Sequence, residues 1–109
     1  MSFATTAKNI ELHKQGDGYY LSADLATGHG DNDWNRADFR LDDKIGNDHG
    51  ILQFGTTNFS TYSQNVNLLD NGRTLIAELA TGGDPGWRTS TIDLNRILAN
   101  NYGQFAWSS

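Results

Sequence analysis

Cysteine is absent from the 109-residue chain, and proline occurs only once. The lack of cysteine excludes disulfides, thiolate metal sites and a cysteine nucleophile, and it suits a reducing compartment. No apolar run approaches the roughly 20 residues that span a bilayer. The first residues, MSFATTAKNIELHK, show neither the apolar stretch nor the basic leader of a secretory signal. We therefore expect a cytoplasmic protein with no membrane partner, with non-classical export as the alternative.

Positive charge is also scarce, since eight Lys and Arg stand against thirteen Asp and Glu, for a net charge of −5. The basic residues are scattered, whereas nucleic-acid backbones and anionic membranes attract clustered cations. This balance argues against both as partners and leaves a neutral small molecule, a protein surface or a sugar. Twelve glycines, with many Asn, Asp and Thr, are typical of numerous turns between short strands.

The tetrapeptide LATG occurs twice, at 25–28 and at 79–82, and the residues around it repeat as well. The matched residues keep their order at offsets of 53 to 56 positions, and the offset changes only where turns are expected. Examples are Phe3 with Phe59, Leu21 with Leu75, Trp34 with Trp87, Leu41 with Leu94 and Phe54 with Trp107. The pattern indicates a tandem duplication, with repeats at about 2–55 and 58–107 inside one domain of residues 1–109.

Apolar residues alternate with polar ones within each repeat, as in Tyr19, Leu21, Ala23 and Leu25. A period of two predicts half-buried antiparallel strands, five short ones per repeat. The segments QGDG and LLDNGRTL supply the Gly and Asn that hairpin turns need at positive φ.

The spacing changes to four in LDDKIGNDHG and again in LNRILANNYG. Each segment predicts one helical turn stopped by a glycine and followed by a strand. The predicted fold class is therefore all-β with two short helical turns, in which two halves share their apolar surface.

The segments STIDLNRILANNYGQFAW and LDDKIGNDHGILQF resemble the ends of the two cyanovirin-N repeats, and GTTNFS resembles that family's linker between repeats. The likeness covers essentially the whole chain. It implies two pseudo-symmetric halves with exchanged repeats, each half completed by the helical turn and hairpin of the other repeat. Half A would comprise 1–43 with 96–109, and half B 44–95. The implied activity is that of a lectin, with one pocket per half for mannose-type or glucose-type glycans and with no cofactor.

One departure from the family's prototype concerns the disulfide that it carries in each half. The matching positions here are Ala7 with Leu25 and Ser63 with Leu79. Leucine at two of the four positions substitutes packing for a cross-link. In this respect the chain resembles a disulfide-free branch of the family found in fungi.

The resemblance also implies positions for the two pockets. The half A positions are Ser2, Thr5, Thr6, Ala26, Thr27, Gly28, Asn100, Asn101 and Tyr102. The half B positions are Asn47, Asp48, His49, Thr57, Asn58, Thr61, Tyr62, Ala80, Thr81 and Gly82. Both copies of LATG would then lie beside a pocket, although a strand running into a turn also explains the tetrapeptide when it is taken alone.

Several ligand-binding positions of the prototype have changed. In half A its Glu and a nearby Asp become Ala26 and Tyr102, whereas Thr6 and Asn100 are kept. In half B its Glu, Arg, Asp and Thr become Gly46, Gly82, His49 and Tyr62. Each lost hydrogen bond to a charged group removes about 1.5–3 kcal/mol of binding free energy. We therefore expect half A to keep binding, with Tyr102 as a possible stacking surface, and half B to be impaired and crowded by Tyr62.

Other groups of residues that could suggest a metal site or a catalytic site have structural explanations. His29, Asp31 and Asp33 in HGDNDW lack the glycine and distal glutamate of a calcium loop, so an Asx-rich turn is expected and no metal site. Asp42 or Asp43 could form an acid pair with Asp93 for hydrolysis, but capping of a helical turn explains Asp42 and Asp93. No serine lies in a nucleophile-elbow pattern. We expect no enzymatic activity.

The three tryptophans, Trp34, Trp87 and Trp107, are expected in the core rather than in sugar-stacking positions. The prediction from sequence is a lectin that binds neutral hexoses through loop hydrogen bonds. The alternative is a structural or protein-interaction module whose sugar sites have decayed. Because the linker at 55–57 lacks proline, we expect a monomer, with a domain-swapped dimer as the alternative.

Overall fold

The structure is a computed structural model that describes residues 3–16, 18–30, 32–83 and 86–108. The first repeat forms β1 Ala7–Gln15, β2 Gly18–Ala26, β3 Trp34–Arg40, β4 Ile45–Asp48 and β5 Ile51–Phe54. The second forms β6 Ser63–Leu69, β7 Thr74–Ala80, β8 Trp87–Asp93, β9 Leu98–Asn101 and β10 Gln104–Trp107. The prediction of five short antiparallel strands per repeat is confirmed. Of the helices in the described ranges, none has the length and apolarity to cross a membrane.

The strands form two three-stranded sheets, β1–β2–β3 and β6–β7–β8, and two hairpins, β4–β5 and β9–β10. Each hairpin packs on the sheet of the other repeat, since β9–β10 contacts β3 and β4–β5 contacts β8. The Asn35 side-chain amide donates to the Gly103 carbonyl at 2.7 Å. The Leu52 amide donates to Ser90 Oγ at 3.0 Å. The repeats are thus exchanged between two pseudo-symmetric halves, while the boundaries at 43/44 and 95/96 remain a prediction.

Each sheet begins with a β-bulge at the same place in the repeat. The register of β1 on β2 shifts between Lys8 and Glu11, and that of β6 on β7 shifts between Gln64 and Asn67. The bulges hold Asn9 and Asn65 at φ of 53° and 52°. Asparagine tolerates this left-handed conformation better than most residues, which explains why it recurs at both positions.

The positions that match the prototype's disulfides are direct cross-strand neighbours, Ala7 opposite Leu25 and Ser63 opposite Leu79. Both leucines are fully buried. Leucine side chains therefore fill the space where a cross-link would lie.

One core joins the two halves, and its largest members are residues that match between the repeats. Phe3, Phe59, Leu21, Leu75, Leu41 and Leu94 are all fully buried. At its edge the Trp107 ring lies 4.8 Å from the Phe39 ring and 5.5 Å from the Phe54 ring, measured between centroids. The placement of Trp107 against the core is therefore confirmed.

The core prediction for the other two tryptophans is wrong. Trp87 is 45% exposed, and Trp34 is half-buried beneath the Lys8 ammonium, which lies 4.2 Å from the ring centroid. The register places Trp34 opposite Ala26 and Trp87 opposite Ala80. Because successive side chains alternate between faces, both tryptophans lie on the sheet face opposite to the core leucines of LATG.

Each segment forms the predicted single helical turn, a 3-10 turn at Leu41–Asp43 and a four-residue α-helix, α1, at Leu94–Ile97. The glycines do not stop them. Gly50 and Gly103, at φ of 97° and 91°, are instead the second residues of two-residue hairpin loops. Three further 3-10 turns, at Phe3–Thr6, Phe59–Tyr62 and Asp70–Gly72, lie in the described residues and were not predicted.

The two aspartates expected to cap helical turns behave differently. Asp93 does cap α1, accepting from the Asn95 amide at 2.9 Å. Asp42 makes no capping bond to its own turn, Leu41–Asp43, and is fully buried. Its carboxylate accepts from the Tyr19 amide at 2.8 Å and from the amide and hydroxyl of Ser60 at 3.0 and 2.6 Å. It therefore ties the start of β2 to a turn of the second repeat.

Candidate functional site

Strands β2 and β7 run into the two copies of LATG, and each copy lies beside an open cavity. Cavity A has a volume of about 370 Å³ and is lined by Thr6, Ala26, Thr27, Gly28, Asn100 and Tyr102. Cavity B has a volume of about 420 Å³ and is lined by Asn47, His49, Tyr62, Ala80, Thr81 and Gly82. The duplication thus places two equivalent cavities in the two halves.

The threonine and glycine of LATG start the turn beside each cavity. Thr27 Oγ1 accepts from the His29 amide at 3.3 Å, and Thr81 Oγ1 accepts from the Gly83 amide at 3.2 Å. The glycines that follow, Gly28 and Gly82, have φ of 84° and 80°, which is unfavourable for most side chains. Together with the buried leucine, these roles explain why the same residues occur twice.

An asparagine of the opposite repeat donates a hydrogen bond to the alanine carbonyl of each LATG. Asn100 Nδ2 donates to the Ala26 carbonyl at 2.8 Å and to Thr6 Oγ1 at 3.0 Å. Its Oδ1 accepts from the Gly103 amide at 2.8 Å. The main hydrogen-bonding capacity of this amide is therefore used inside the protein, and Asn100 orients the wall of cavity A.

Asn47 does the same at cavity B. Its Nδ2 donates to the Ala80 carbonyl at 2.8 Å, and its Oδ1 accepts from the Gly50 amide at 2.7 Å. The repeated N…G pattern is the sequence signal for this clamp, although sequence reasoning assigned both asparagines to ligand binding.

The hairpin glycine beyond each clamp allows a close approach to LATG. A Cβ on Gly103 would lie 2.9 Å from Thr27 Cγ2, and one on Gly50 would lie 2.9 Å from Thr81 Cγ2. Such distances are far shorter than ordinary van der Waals contact. A larger residue would push the hairpin away from the cavity.

Six of the nine half A positions come together around cavity A. Thr5 and Asn101 are exposed and are absent from its described lining. Ser2 lies outside the described residues. The six that meet belong to three separate segments, at 3–6, 26–28 and 100–102, so the exchange of repeats creates the cavity.

Around cavity B the structure brings together His49, Tyr62, Thr81 and Gly82 with Asn47 and Ala80. Four predicted positions, Asp48, Thr57, Asn58 and Thr61, are not among its described lining residues. Asn58, at φ of 62°, instead donates its amide to the Asp42 carbonyl at 2.8 Å and forms a β-bridge with Gly46. Asn58 therefore ties the connection between the repeats to the first repeat.

The loss of the prototype's glutamate at Gly46 has a steric explanation. A Cβ on Gly46 would lie 2.2 Å from Thr56 Oγ1 and 2.8 Å from the Thr57 nitrogen. The linker thus occupies the space that a side chain would need. Any larger residue at 46 requires a displaced linker.

The HGDNDW segment folds back on itself. The Thr27 amide donates to the Asp33 carbonyl at 3.0 Å, and His29 Nδ1 lies 3.8 Å from Asp33 Oδ2. Asp31 lies outside the described residues. Within the described ranges no three His, Asp or Glu side chains are grouped so that they could hold a metal ion.

One serine lies beside a histidine and an aspartate, in an order unlike that of a hydrolase triad. The Ser22 hydroxyl donates to Asp38. His13 Nδ1 lies 3.4 Å from Ser22 Oγ. In a Ser-His-Asp triad the histidine stands between the other two and accepts the serine proton. Here the Ser22 hydroxyl points its proton at the Asp38 carboxylate, so His13 is not placed to accept it.

The outer face of the first sheet holds a charged network away from both cavities. Asn9 Nδ2 donates to Asp24 Oδ2 at 2.8 Å, and Arg36 Nη1 lies 3.5 Å from Asp24 Oδ1. The amide of Asn9, more than the charge of Arg36, holds the pKa of Asp24 below its ordinary value.

The CVNH domain family model matches residues 3–106. A curated cyanovirin-N homolog from Tuber borchii is 37% identical over 98 residues, which cover 89% of this chain and 90% of that protein. A solved structure of the T. borchii CVNH protein is 35% identical with a TM-score of 0.81, over 99% of this chain and 100% of that one. A complex of microvirin with mannobiose is 28% identical with a TM-score of 0.72, over 98% of each chain. The chain belongs to the cyanovirin-N homolog family.

Proposed function

We propose that this protein is a lectin that binds neutral hexoses or their oligosaccharides at cavity A. The observation that carries the proposal is the convergence of residues from three segments on one open cavity of about 370 Å³. These segments are positioned by strands and by the Asn100 clamp, as a preformed ligand site requires.

The character of the cavity wall supports a neutral ligand. None of its six described lining residues is charged, and the exposed Tyr102 ring stands at its edge. A pyranose carries hydroxyl groups and apolar C–H faces, and this mixture of hydroxyl, backbone and aromatic surface suits it. Among the relatives, microvirin is described in complex with mannobiose. We propose that binding involves no metal or cofactor and no catalysis.

Cavity B is the weaker site in this proposal. Tyr62 lines it and is 67% exposed, so its ring stands where a ligand would enter. Gly82 lines the same cavity without a side chain that could bond a sugar. With a single effective site, avidity for a multivalent glycan would require a second copy, and we expect a monomer.

A protein-interaction module with decayed sugar sites is the second candidate. The observation that favours it is the exposure of three aromatic side chains, Tyr62, Trp87 and Tyr102, at 67%, 45% and 76%. Exposed aromatic residues are typical of protein interfaces. The two candidates differ in whether a free sugar binds.

An amide chemical-shift titration with mannose, α1,2-mannobiose, glucose and maltose tests the proposal. Shifts confined to Thr6, 26–28 and 100–102 would support a lectin with one site. Shifts at Asn47, His49 and Tyr62 would show that cavity B is active. Absence of any shift at millimolar sugar would contradict the lectin proposal and favour the interaction module. Release of product from chromogenic glycosides would contradict the non-catalytic part.

A further inference from the structure

Thr27 is the one residue of segment 26–28 with a polar side chain, and it lines cavity A. Its neighbours Ala26 and Gly28 have only backbone groups with which to form hydrogen bonds. The conformation of Thr27 therefore decides what the first LATG turn can offer to a ligand through a side chain.

Asp33 engages Thr27 at three points. The Thr27 amide donates to the Asp33 carbonyl at 3.0 Å. The Thr27 hydroxyl lies 2.5 Å from Asp33 Oδ2 and 3.2 Å from the Asp33 carbonyl oxygen. A hydroxyl has a single proton, and the shorter bond, to a charged carboxylate, is the stronger of the two. The Asp33 side chain thus fixes the direction of the Thr27 hydroxyl.

The carboxylate of Asp33 is not needed to close the turn. The matching backbone bond closes the second LATG turn, from the Thr81 amide to the Gly86 carbonyl at 3.0 Å. Gly86 matches Asp33 at an offset of 53 positions, and glycine has no side chain. The Asp33 side chain is also 54% exposed, so its burial in the core is no reason for it. Exposed polar contacts add little to stability, so we expect the effect of this one at the cavity.

Thr27 keeps the capacity to bind a ligand while it is held. Its Oγ1 donates to Asp33 and accepts from the His29 amide at 3.3 Å, which leaves one further acceptor position on the oxygen. The methyl group lies close to the β9–β10 hairpin, since a Cβ on Gly103 would lie 2.9 Å from Thr27 Cγ2. Contacts on both branches of the side chain order it before a ligand arrives, which avoids a cost that binding would otherwise carry.

We infer that Asp33 is a positioning residue of cavity A, whose carboxylate holds Thr27 in the rotamer in which its hydroxyl oxygen accepts a hydrogen bond from a hexose hydroxyl. This inference rests on the proposed lectin function. It adds to the site a residue that is absent from the described lining of the cavity. Asp33 acts through Thr27 and does not itself contact the sugar.

The first test measures affinity at cavity A in Asp33 variants, by amide chemical shifts with mannose, α1,2-mannobiose, glucose and maltose. Asp33→Ala removes the carboxylate and keeps the backbone carbonyl that closes the turn. We expect it to lose about two- to tenfold in affinity for each sugar that wild type binds there. Asp33→Asn keeps a side-chain oxygen that can accept the Thr27 proton and should stay within about twofold of wild type.

Glu11→Ala is the matched control for this test. Glu11 is an exposed carboxylate that pairs with Arg36 and is absent from the described lining of both cavities. Its removal changes the net charge as Asp33→Ala does, and affinity at cavity A should stay as in wild type.

A double-mutant cycle tests whether Asp33 acts through Thr27. Thr27→Val keeps the shape of the side chain and removes the hydroxyl, so we expect it to weaken binding by itself. Adding Asp33→Ala to Thr27→Val should then cause no further loss. An equal loss from Asp33→Ala in both backgrounds would overturn the inference, because Asp33 would then act on the sugar by another route.

The rotamer of Thr27 gives a readout that needs no sugar. Three-bond couplings of Thr27 Cγ2 to the backbone nitrogen and carbonyl carbon report χ1. We expect a single rotamer in wild type and averaging among rotamers in Asp33→Ala. The unfolding midpoint of this variant should change by no more than about 3 °C. Averaged couplings in wild type, or unchanged couplings in Asp33→Ala, would contradict the positioning role.

The outcomes separate the inference from the proposed function. If Asp33→Ala binds as tightly as wild type, or if Asp33→Asn loses as much affinity as Asp33→Ala, the inference is overturned and the lectin proposal stands. If none of the four sugars shifts an amide at cavity A of the wild-type protein at millimolar concentration, both are overturned.

Discussion

Asn100 Nδ2 lies 2.8 Å from the Ala26 carbonyl oxygen, a hydrogen bond that joins a hairpin of the second repeat to a strand end of the first. Asn47 makes the reciprocal bond to Ala80, also at 2.8 Å. Each cavity is therefore assembled across the duplication. The side chain that orients the wall belongs to one repeat, and the LATG turn belongs to the other.

Removing this clamp should damage both stability and binding. Asn100→Ala leaves the Ala26 carbonyl and the Gly103 amide without their partner, and we expect a loss of about 2–3 kcal/mol in the free energy of unfolding. Urea denaturation measures it. Asn47→Ala is the matched change in the other half and should cost a similar amount. A loss below about 0.5 kcal/mol for both variants would contradict the clamp.

Asp42 is the second connection between the repeats, and its loss should cost more. Asp42→Ala removes the carboxylate that accepts from the Tyr19 and Ser60 amides, for which we expect about 3–5 kcal/mol of destabilisation. Denaturant unfolding of Ser60→Ala is the control, because it removes only the hydroxyl and should cost about 1–1.5 kcal/mol. Equal losses for the two variants would argue against a bridging role for the carboxylate.

Much of the fold was predictable because the repeat and the period of two both indicate which side chains are buried. Leu21, Leu25, Leu75 and Leu79 alternate with polar residues and are all fully buried. The hairpin of LLDNGRTL was predictable for a local reason, since Asn71 and Gly72 adopt the positive φ that such residues allow.

The remaining features depend on register and contact rather than on local pattern. The match of Trp34 with Trp87 indicates equivalent positions, but only the pairing with Ala26 and Ala80 places both on the outer face. The 3-10 turns span three or four residues, too few for a period to be read. Whether an asparagine contacts ligand or orients the wall depends on partners far away in sequence, as the bond from Asn100 to Ala26 illustrates.

The Asp24 carboxylate should make the stability of the protein depend on pH. Its pKa is lower in the folded protein than the ordinary value, chiefly because Asn9 donates to the carboxylate. A lowered folded-state pKa stabilises the protein at pH values above the unfolded-state pKa of about 3.9, and this contribution disappears as the pH falls through the folded-state pKa. In Asn9→Ala the pKa of Asp24 should move upward, as carboxyl carbon chemical shifts followed through acid pH would report.

If the titration curve of the Asp24 carboxyl carbon is unmoved in Asn9→Ala, Arg36 and not Asn9 controls the pKa of that carboxylate.

Gly46 should tolerate no side chain, although its φ lies outside the range in which glycine is favoured. A methyl group there would meet Thr56 Oγ1 at 2.2 Å and the backbone nitrogen of Thr57 at 2.8 Å, so the linker must shift. For Gly46→Ala we expect a loss of about 1–3 kcal/mol by overpacking, measured by denaturant unfolding. Gly83→Ala is the matched control, because a Cβ there has no atom within 4 Å. If both substitutions are neutral, the linker does not pack against β4, and the steric reason for the missing glutamate at 46 fails with it.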